Sequence, residues 1–280
     1  MEPQYSRNIP LPIQREVRKR CGFGCVICGF PLYEYDHMKE WANVHEHIAE
    51  DITILCPSHH HEVTVGLLPR EKVQIANLKP YNLQTGCCSP LDLHFEGQSC
   101  EFSIGGNTFT SSIGEGDFAQ SIPVLIDGVP LVGFVLQDNH LLLNVNLFDE
   151  FNQSILRIIN NQLSYSVSPW DIKLVGRHLT IRERARELFI KMTFVPPNKV
   201  IMDQGRLLFN GVEILIYEDH ILVTNNNTLI SGCTAHNCHG GLIIGPNKES
   251  IGGFMNISNV SRYLGDNRKS IKWAKSVMGE

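Results

Sequence analysis

Two hydrophobic rhythms divide this chain. Before residue 86 apolar positions are sparse and fall at helical or short-strand spacing. Pro12 suits a first helical turn, Gly22 a stop just past the end, and Ile13 and Val17 share one face, which predicts a short helix between them. Residues 32–37 alternate well enough to be a strand, and 39–50 have no clean period and read as a loop or short helix. Residues 52–55 form a β-branched strand running into Cys56, and Pro57 opens a helix carrying His59, His60 and His61. Residues 67–83 read as a helical tail with Arg70, Glu71 and Lys72 in its first turns. Strand, loop, strand, helix is the order of a ββα unit.

The pattern changes near residues 84–90. Strand-like segments follow at 100–104, 124–126, 131–136, 140–147, 155–159, 172–175, 178–181, 188–194, 199–202, 206–209, 213–217 and 220–223. Turn signals separate them: Gly105-Gly106, Asp127-Gly128, Asp138-Asn139, Asn160-Asn161, Asn210-Gly211 and the asparagines at 225–227. Such strands can stack as a sandwich, a barrel or a solenoid, and the absence of an exact repeat weighs mildly against the last. Residues 231–253 hold six glycines and read as loops. From 256 to 280 five Lys and Arg face two acids, with a helix expected around 270–278.

Composition narrows the class. The 280 residues are 42% hydrophobic and 19% charged, which is ordinary for a globular chain. No apolar run could span a bilayer, and residues 1–20 lack the apolar core and cleavage site of a secretory signal. Nine cysteines, four of them better explained by a metal than by disulfides, point to a reducing, cytoplasmic setting. A net charge of −5 excludes a nucleic-acid binder that works through its overall field. Residues 1–86 carry nine Lys and Arg against ten Asp and Glu, but Arg15, Arg18, Lys19 and Arg20 concentrate positive charge into one candidate phosphate-binding patch.

The chemistry is densest between residues 25 and 60. Cys25 and Cys28 form a C-x2-C knuckle, and Cys56 and His59 supply a second pair. Four soft ligands in two close pairs make a closed tetrahedral site for structural Zn²⁺, which contributes folding energy outright. Asp36, His37 and His60 lie between and beside these ligands, so folding around zinc brings them near one another. The expected fold class is therefore α+β. A small zinc-stabilised domain (1–86) precedes a larger mainly-β domain (87–253) and a basic tail (254–280).

Residues 15–66 resemble the HNH endonuclease family on Cys25-Val26-Ile27-Cys28-Gly29, then Tyr35-Asp36-His37, then the run from Asp51 through Cys56 to His59-His60. The resemblance covers about a fifth of the chain. It implies a ββα-metal module in which His37 is the general base and Asp36 and His60 hold one catalytic Mg²⁺ or Mn²⁺. Two departures stand out. Asp51 falls where the family has an asparagine that braces the loop and orients the base, and His59 replaces the usual fourth cysteine. The chemistry agrees with the resemblance, because phosphodiester hydrolysis needs a base near neutral pKa and a hard cation with open positions. Asp36 and His37 are adjacent on a strand and point to opposite faces, so aiming both at one phosphate calls for a twist or bulge.

The implied function is a metal-dependent endonuclease acting on DNA, with RNA as the further substrate the sequence leaves open. The β-rich part would serve regulation, ligand sensing or self-assembly through residues 87–280. A nuclease joined to such a module is similar in plan to bacterial anti-phage defence effectors. The rival reading is a non-catalytic zinc module that binds nucleic acid or protein, attached to a functional β domain. A second group, Cys233, His236, Cys238 and His239, packs four ligand types into seven residues, too closely to complete a tetrahedron without a distant partner pair.

Overall fold

In the computed structural model, which describes residues 8–39, 47–114, 117–137, 140–246 and 252–262, helix α1 (Leu11–Arg20) opens after Pro10 with Pro12 in its first turn. Proline has no backbone N–H, and none is needed at these positions. Arg18, Lys19 and Arg20 occupy the last turn, where positive charge complements the helix dipole. The chain turns away through Gly22 and Phe23, both at positive φ. Strand β1 (Glu34–His37) pairs antiparallel with β2 (Ile52–Leu55), in the register Glu34 to Leu55 and His37 to Ile52 with no shift between. Helix α2 (Pro57–Thr64) follows β2 directly. This is the anticipated strand, strand, helix order.

The 67–83 tail is two helices, α3 (Arg70–Leu78) and α4 (Tyr81–Thr85). Pro80 separates them: it has no N–H to donate and drives Lys79 out of helical conformation. From α4, the buried Asn82 donates to the Gly22 carbonyl at 2.8 Å. Any side chain at Gly29 (φ 75°) would collide with Asn82 and Tyr81, so only glycine closes the knuckle there.

The chain forms two units. The first is discontinuous: Met1–Leu91 takes in Ser164–Val175 and Ile181–Arg186. Its core gathers Val17, Cys21, Val26, Ala49, Val63 and Val73 around β2, whose four residues are all buried. The later segments are tied in by polar contacts. The Tyr165 hydroxyl donates to the Phe23 carbonyl at 2.6 Å. Arg18 forms a two-pronged bond with Asp171 at 2.7 and 2.9 Å and reaches the Tyr35 hydroxyl at 2.9 Å. Burial works against the Arg18 charge, but Asp171, Tyr35 and Tyr33 together more than offset it and keep the guanidinium protonated. Removing one partner of such a buried pair costs about 3–5 kcal/mol.

The second unit comprises Asp92–Leu163, Gly176–Thr180 and Glu187–Glu280. One sheet runs, in spatial order, Gly253–Ile257, Gly240–Ile244, Phe118–Ile126, Val129–Gln137, His140–Phe148 and Ser154–Ile159. The first three are mutually parallel, and an antiparallel meander follows. A second sheet orders Glu187–Val195, Lys199–Phe209, Val212–Ile216, His220–Val223 and Thr228–Ser231. Ser99–Ile104 runs parallel to the start of Lys199–Phe209. The Asp127-Gly128, Asn160-Asn161 and Asn210-Gly211 turns all have both residues at positive φ, the geometry that matches strand twist in tight hairpins. Phe102 and Phe134, one from each side of this core, lie 4.7 Å apart between ring centroids. The Asp138-Asn139 turn and the 270–278 helix fall outside the described residues.

Candidate metal centre

The knuckle and the start of α2 bring Cys25, Cys28, Cys56 and His59 together, with all four ligand atoms within 4.8 Å of one another. The Cys28 and Cys56 sulfurs are 3.8 Å apart. His59 Nδ1 lies 3.4 Å from Cys25 Sγ and 3.2 Å from Cys56 Sγ. A tetrahedral zinc with bonds of about 2.3 Å to sulfur and about 2.0 Å to nitrogen spaces its ligands about 3.8 Å (sulfur to sulfur) and about 3.5 Å (sulfur to nitrogen). The donor set and its spacing therefore fit Zn²⁺. A shared hydrogen bond lowers the Cys25 pKa to about 4 and raises that of Cys28, and burial raises that of Cys56, so Cys25 is the thiol most readily held as the thiolate a metal requires.

Local structure explains this arrangement. Gly29 N–H bonds the Cys25 carbonyl at 2.7 Å, and Cys25 N–H bonds the Phe30 carbonyl at 3.0 Å, which folds the C-x2-C turn tightly. Cys56 caps α2, so His59 sits one turn in and faces back toward it. His60 is the next residue and points elsewhere. Its Nδ1 lies 3.1 Å from Glu34 Oε2 and its Nε2 3.6 Å from Asp36 Oδ1.

Glu34 and Asp36 share one face of β1, as alternate strand residues must. Asp36 is largely buried, with its side chain 11% exposed. Burial raises its pKa, against the lowering effects of Arg70, His60 and His37. Arg70, the first residue of α3, donates to the His37 carbonyl at 2.9 Å and lies 3.4 Å from Asp36 Oδ2. His37 has its Nε2 3.4 Å from His47 Nδ1. Burial and then His47 lower the His37 pKa, against the opposing fields of Asp36 and Asp51, so its neutral imidazole is favoured. The register holds no bulge at Asp36 or His37. The geometry therefore puts Asp36 with His60, and His37 with His47, on the two sides of β1.

Asp51 sits just before β2 and takes Lys39 Nζ at 2.8 and 2.9 Å on its two carboxylate oxygens, while its backbone carbonyl accepts Met38 N–H at 2.8 Å. The basic patch is divided by the fold. Arg18 is buried against Asp171, Arg20 donates to the Ala49 and Ile52 carbonyls, and the Arg15 guanidinium lies 4.1 Å over the Trp170 ring. Lys19 is exposed. The four do not form one exposed face, because two of these guanidinium groups are committed to protein acceptors.

Among the described residues, the Cys₃His set is the one group of three or more His, Cys, Asp or Glu gathered this closely. Cys233, His236, Cys238 and His239 do not gather. Thr234–His236 is a strand beside Asn107–Ser112, and His236 Nδ1 bonds Thr110 at 2.7 Å instead. His61 is exposed. Sequence reasoning passed over Glu34, although its two-residue offset from Asp36 was a usable strand signal. Arg70 carried no signal, since only the tertiary fold brings it to β1. No helix among the described residues is long and apolar enough to cross a membrane. No protein-family model, curated protein or solved structure matches the chain.

Proposed function

We propose that the first unit is an HNH-type endonuclease module that hydrolyses phosphodiester bonds, in DNA first and RNA second. The observation that carries this reading is the adjacency of His59 and His60 on α2. One side chain joins the Cys₃His cluster, and the next faces Asp36 on β1 at 3.6 Å. That separation is too long for a hydrogen bond and short enough for two ligands of one cation.

Asp36 and His60 would hold a Mg²⁺ or Mn²⁺ ion, an oxygen and imidazole set suited to a hard or borderline cation. When bound, that ion supplies positive charge to the pentacovalent phosphate and the departing oxygen. His37, kept neutral by burial and by His47, takes the proton from the attacking water. Asp51 supports His37 by bracing: its carbonyl holds Met38 at the end of β1, and its carboxylate holds Lys39. Of the basic patch, Lys19, which is exposed, and Arg15, which lies over Trp170, are not committed to protein acceptors among the described residues, and they would meet the phosphate backbone. The second unit would govern where or when cutting occurs, through a ligand, a partner or a second copy.

The rival reading, a zinc module that binds without cutting, draws on two observations: Asp36 already lies against Arg70 and His60, and β1 lacks the bulge that aiming Asp36 and His37 at one phosphate calls for. A plasmid-cleavage assay with Mg²⁺ or Mn²⁺ separates the two, with RNA as a second substrate and EDTA as control. His37→Ala should lower the rate by about 10²–10⁴-fold with bound zinc unchanged. A variant that cuts as fast as the parent overturns the catalytic assignment.

A further inference from the structure

We propose that Glu34 is a positioning residue that fixes the tautomer of His60, so that His60 Nε2 presents its lone pair toward Asp36. The proposal rests on the nuclease reading for its purpose, but not for its geometry. Glu34 and Asp36 flank Tyr35 on β1, and the unshifted pairing with β2 keeps both on one face. His60 stands opposite them, at the second turn of α2, with its backbone N–H bonded to the Cys56 carbonyl at 2.8 Å.

The two contacts of the imidazole are unequal. Glu34 Oε2 is 3.1 Å from Nδ1, within hydrogen-bond range, whereas Asp36 Oδ1 is 3.6 Å from Nε2, beyond it. A neutral imidazole carries one N–H. Glu34, acting as acceptor, claims it at Nδ1 and leaves Nε2 bare on the side of the buried Asp36. A carboxylate that holds one imidazole nitrogen so that the other can bind a cation is the usual outer partner of a metal-ligating histidine, and losing it costs about 10–100-fold in metal affinity. Glu34 is the more exposed of the two acids, with its side chain 56% exposed against 11% for Asp36. That suits a residue which orients from the rim while Asp36 binds from within.

The test uses the full zinc-loaded chain. Nitrogen-15 NMR of the histidine rings, well above the ordinary imidazole pKa of about 6.5, reads the His60 tautomer directly, with His60→Ala assigning the signal. The parent should hold the proton on Nδ1. Glu34→Ala should shift it toward Nε2, and Glu34→Gln, whose amide oxygen still accepts, should restore Nδ1. Calorimetric titration with Mn²⁺ should show about 10–100-fold weaker binding in Glu34→Ala and near-parental binding in Glu34→Gln. A parent already protonated on Nε2, or a tautomer indifferent to Glu34→Ala, overturns the proposal. The tautomer result stands apart from the nuclease reading. An Nδ1 proton lost in Glu34→Ala upholds the Glu34 assignment even where the parent binds no Mn²⁺, and that second result counts against the cation site alone.

Discussion

The two units of this chain solve the problem of stability by different means. The first has a small core in which Cys21, Cys25 and Cys56 stand among the buried positions, and its β2 strand pairs, among the described residues, with β1 alone. The second stacks long strands into sheets and buries rings such as Phe102, Phe134 and Phe189 almost completely. A small core cannot offset chain entropy unaided, and metals are the common remedy. The difference teaches where each unit can tolerate polar chemistry. In the first, the cluster ties the knuckle to the start of α2, and Glu34, Asp36 and His60 stand nearby at a half-open surface. In the second, packing holds the strands, and buried polar groups within them, such as Asn107 and Glu213, are taken up by hydrogen bonds to neighbouring segments.

The largest effect that would break this comparison is metal removal. Structural zinc in small domains supplies about 10–16 kcal/mol of apparent folding energy. A strong chelator, or Cys56→Ser, should therefore unfold the first unit while the strand signal of the second persists in far-ultraviolet circular dichroism. Proteolysis confined to the first unit would confirm the division, and simultaneous loss of both signals would refute it. Next in size is Phe134→Ala, which opens a cavity beside Phe95 and Phe102, whose ring centroids lie 5.4 and 4.7 Å away. It should cost about 3–5 kcal/mol by denaturant titration, with zinc stoichiometry unchanged.

The smallest expected effect is on pH. Burial raises the pKa of Tyr33, Tyr35 and Tyr165, all in the first unit. The folded state then keeps these protons where the unfolded chain, with tyrosines near about 10, releases them. The corresponding stability is fully present below about pH 10 and falls as pH rises beyond it. Denaturation midpoints of the first unit measured between neutral pH and about pH 11 should decline along that limb, and flat midpoints would dismiss the tyrosines as contributors.

What the sequence made legible was local. The two-residue spacing of Cys25 and Cys28, the Cys56 to His59 interval, and the paired turn residues at 127–128, 160–161 and 210–211 each act over a few residues, and each appears as expected. Longer-range choices were hidden. Arg18 reads as a surface base until Asp171, 153 positions away, claims it. Residues 164–175 and 181–186 read as ordinary members of the strand series, yet they pack with the first unit because of Tyr165 and Asp171. Segments 199–202 and 206–209 are one strand, Lys199–Phe209, which passes through Gly205 at φ 140°, where a side chain would strike the Phe189 carbonyl and Ile190. Asn107–Ser112 was missed because its sequence, NTFTSS, alternates Asn, Phe and Ser inward and offers little apolar contrast.

His59 and His60 are consecutive, so they share one rigid helix whose rotation about its axis sets the direction of both, about 100° apart. Whatever holds His59 therefore also aims His60. An oxidant that couples two of the cysteine thiols, or a thiol-seeking heavy metal that draws them away, would free α2 to turn and carry His60 off Asp36. The polar site would be disarmed without any reagent touching it. The integrity of the sulfur cluster is thus the calibration of the neighbouring imidazole, and a chain that loses its thiols loses that aim together with the fold of its first unit.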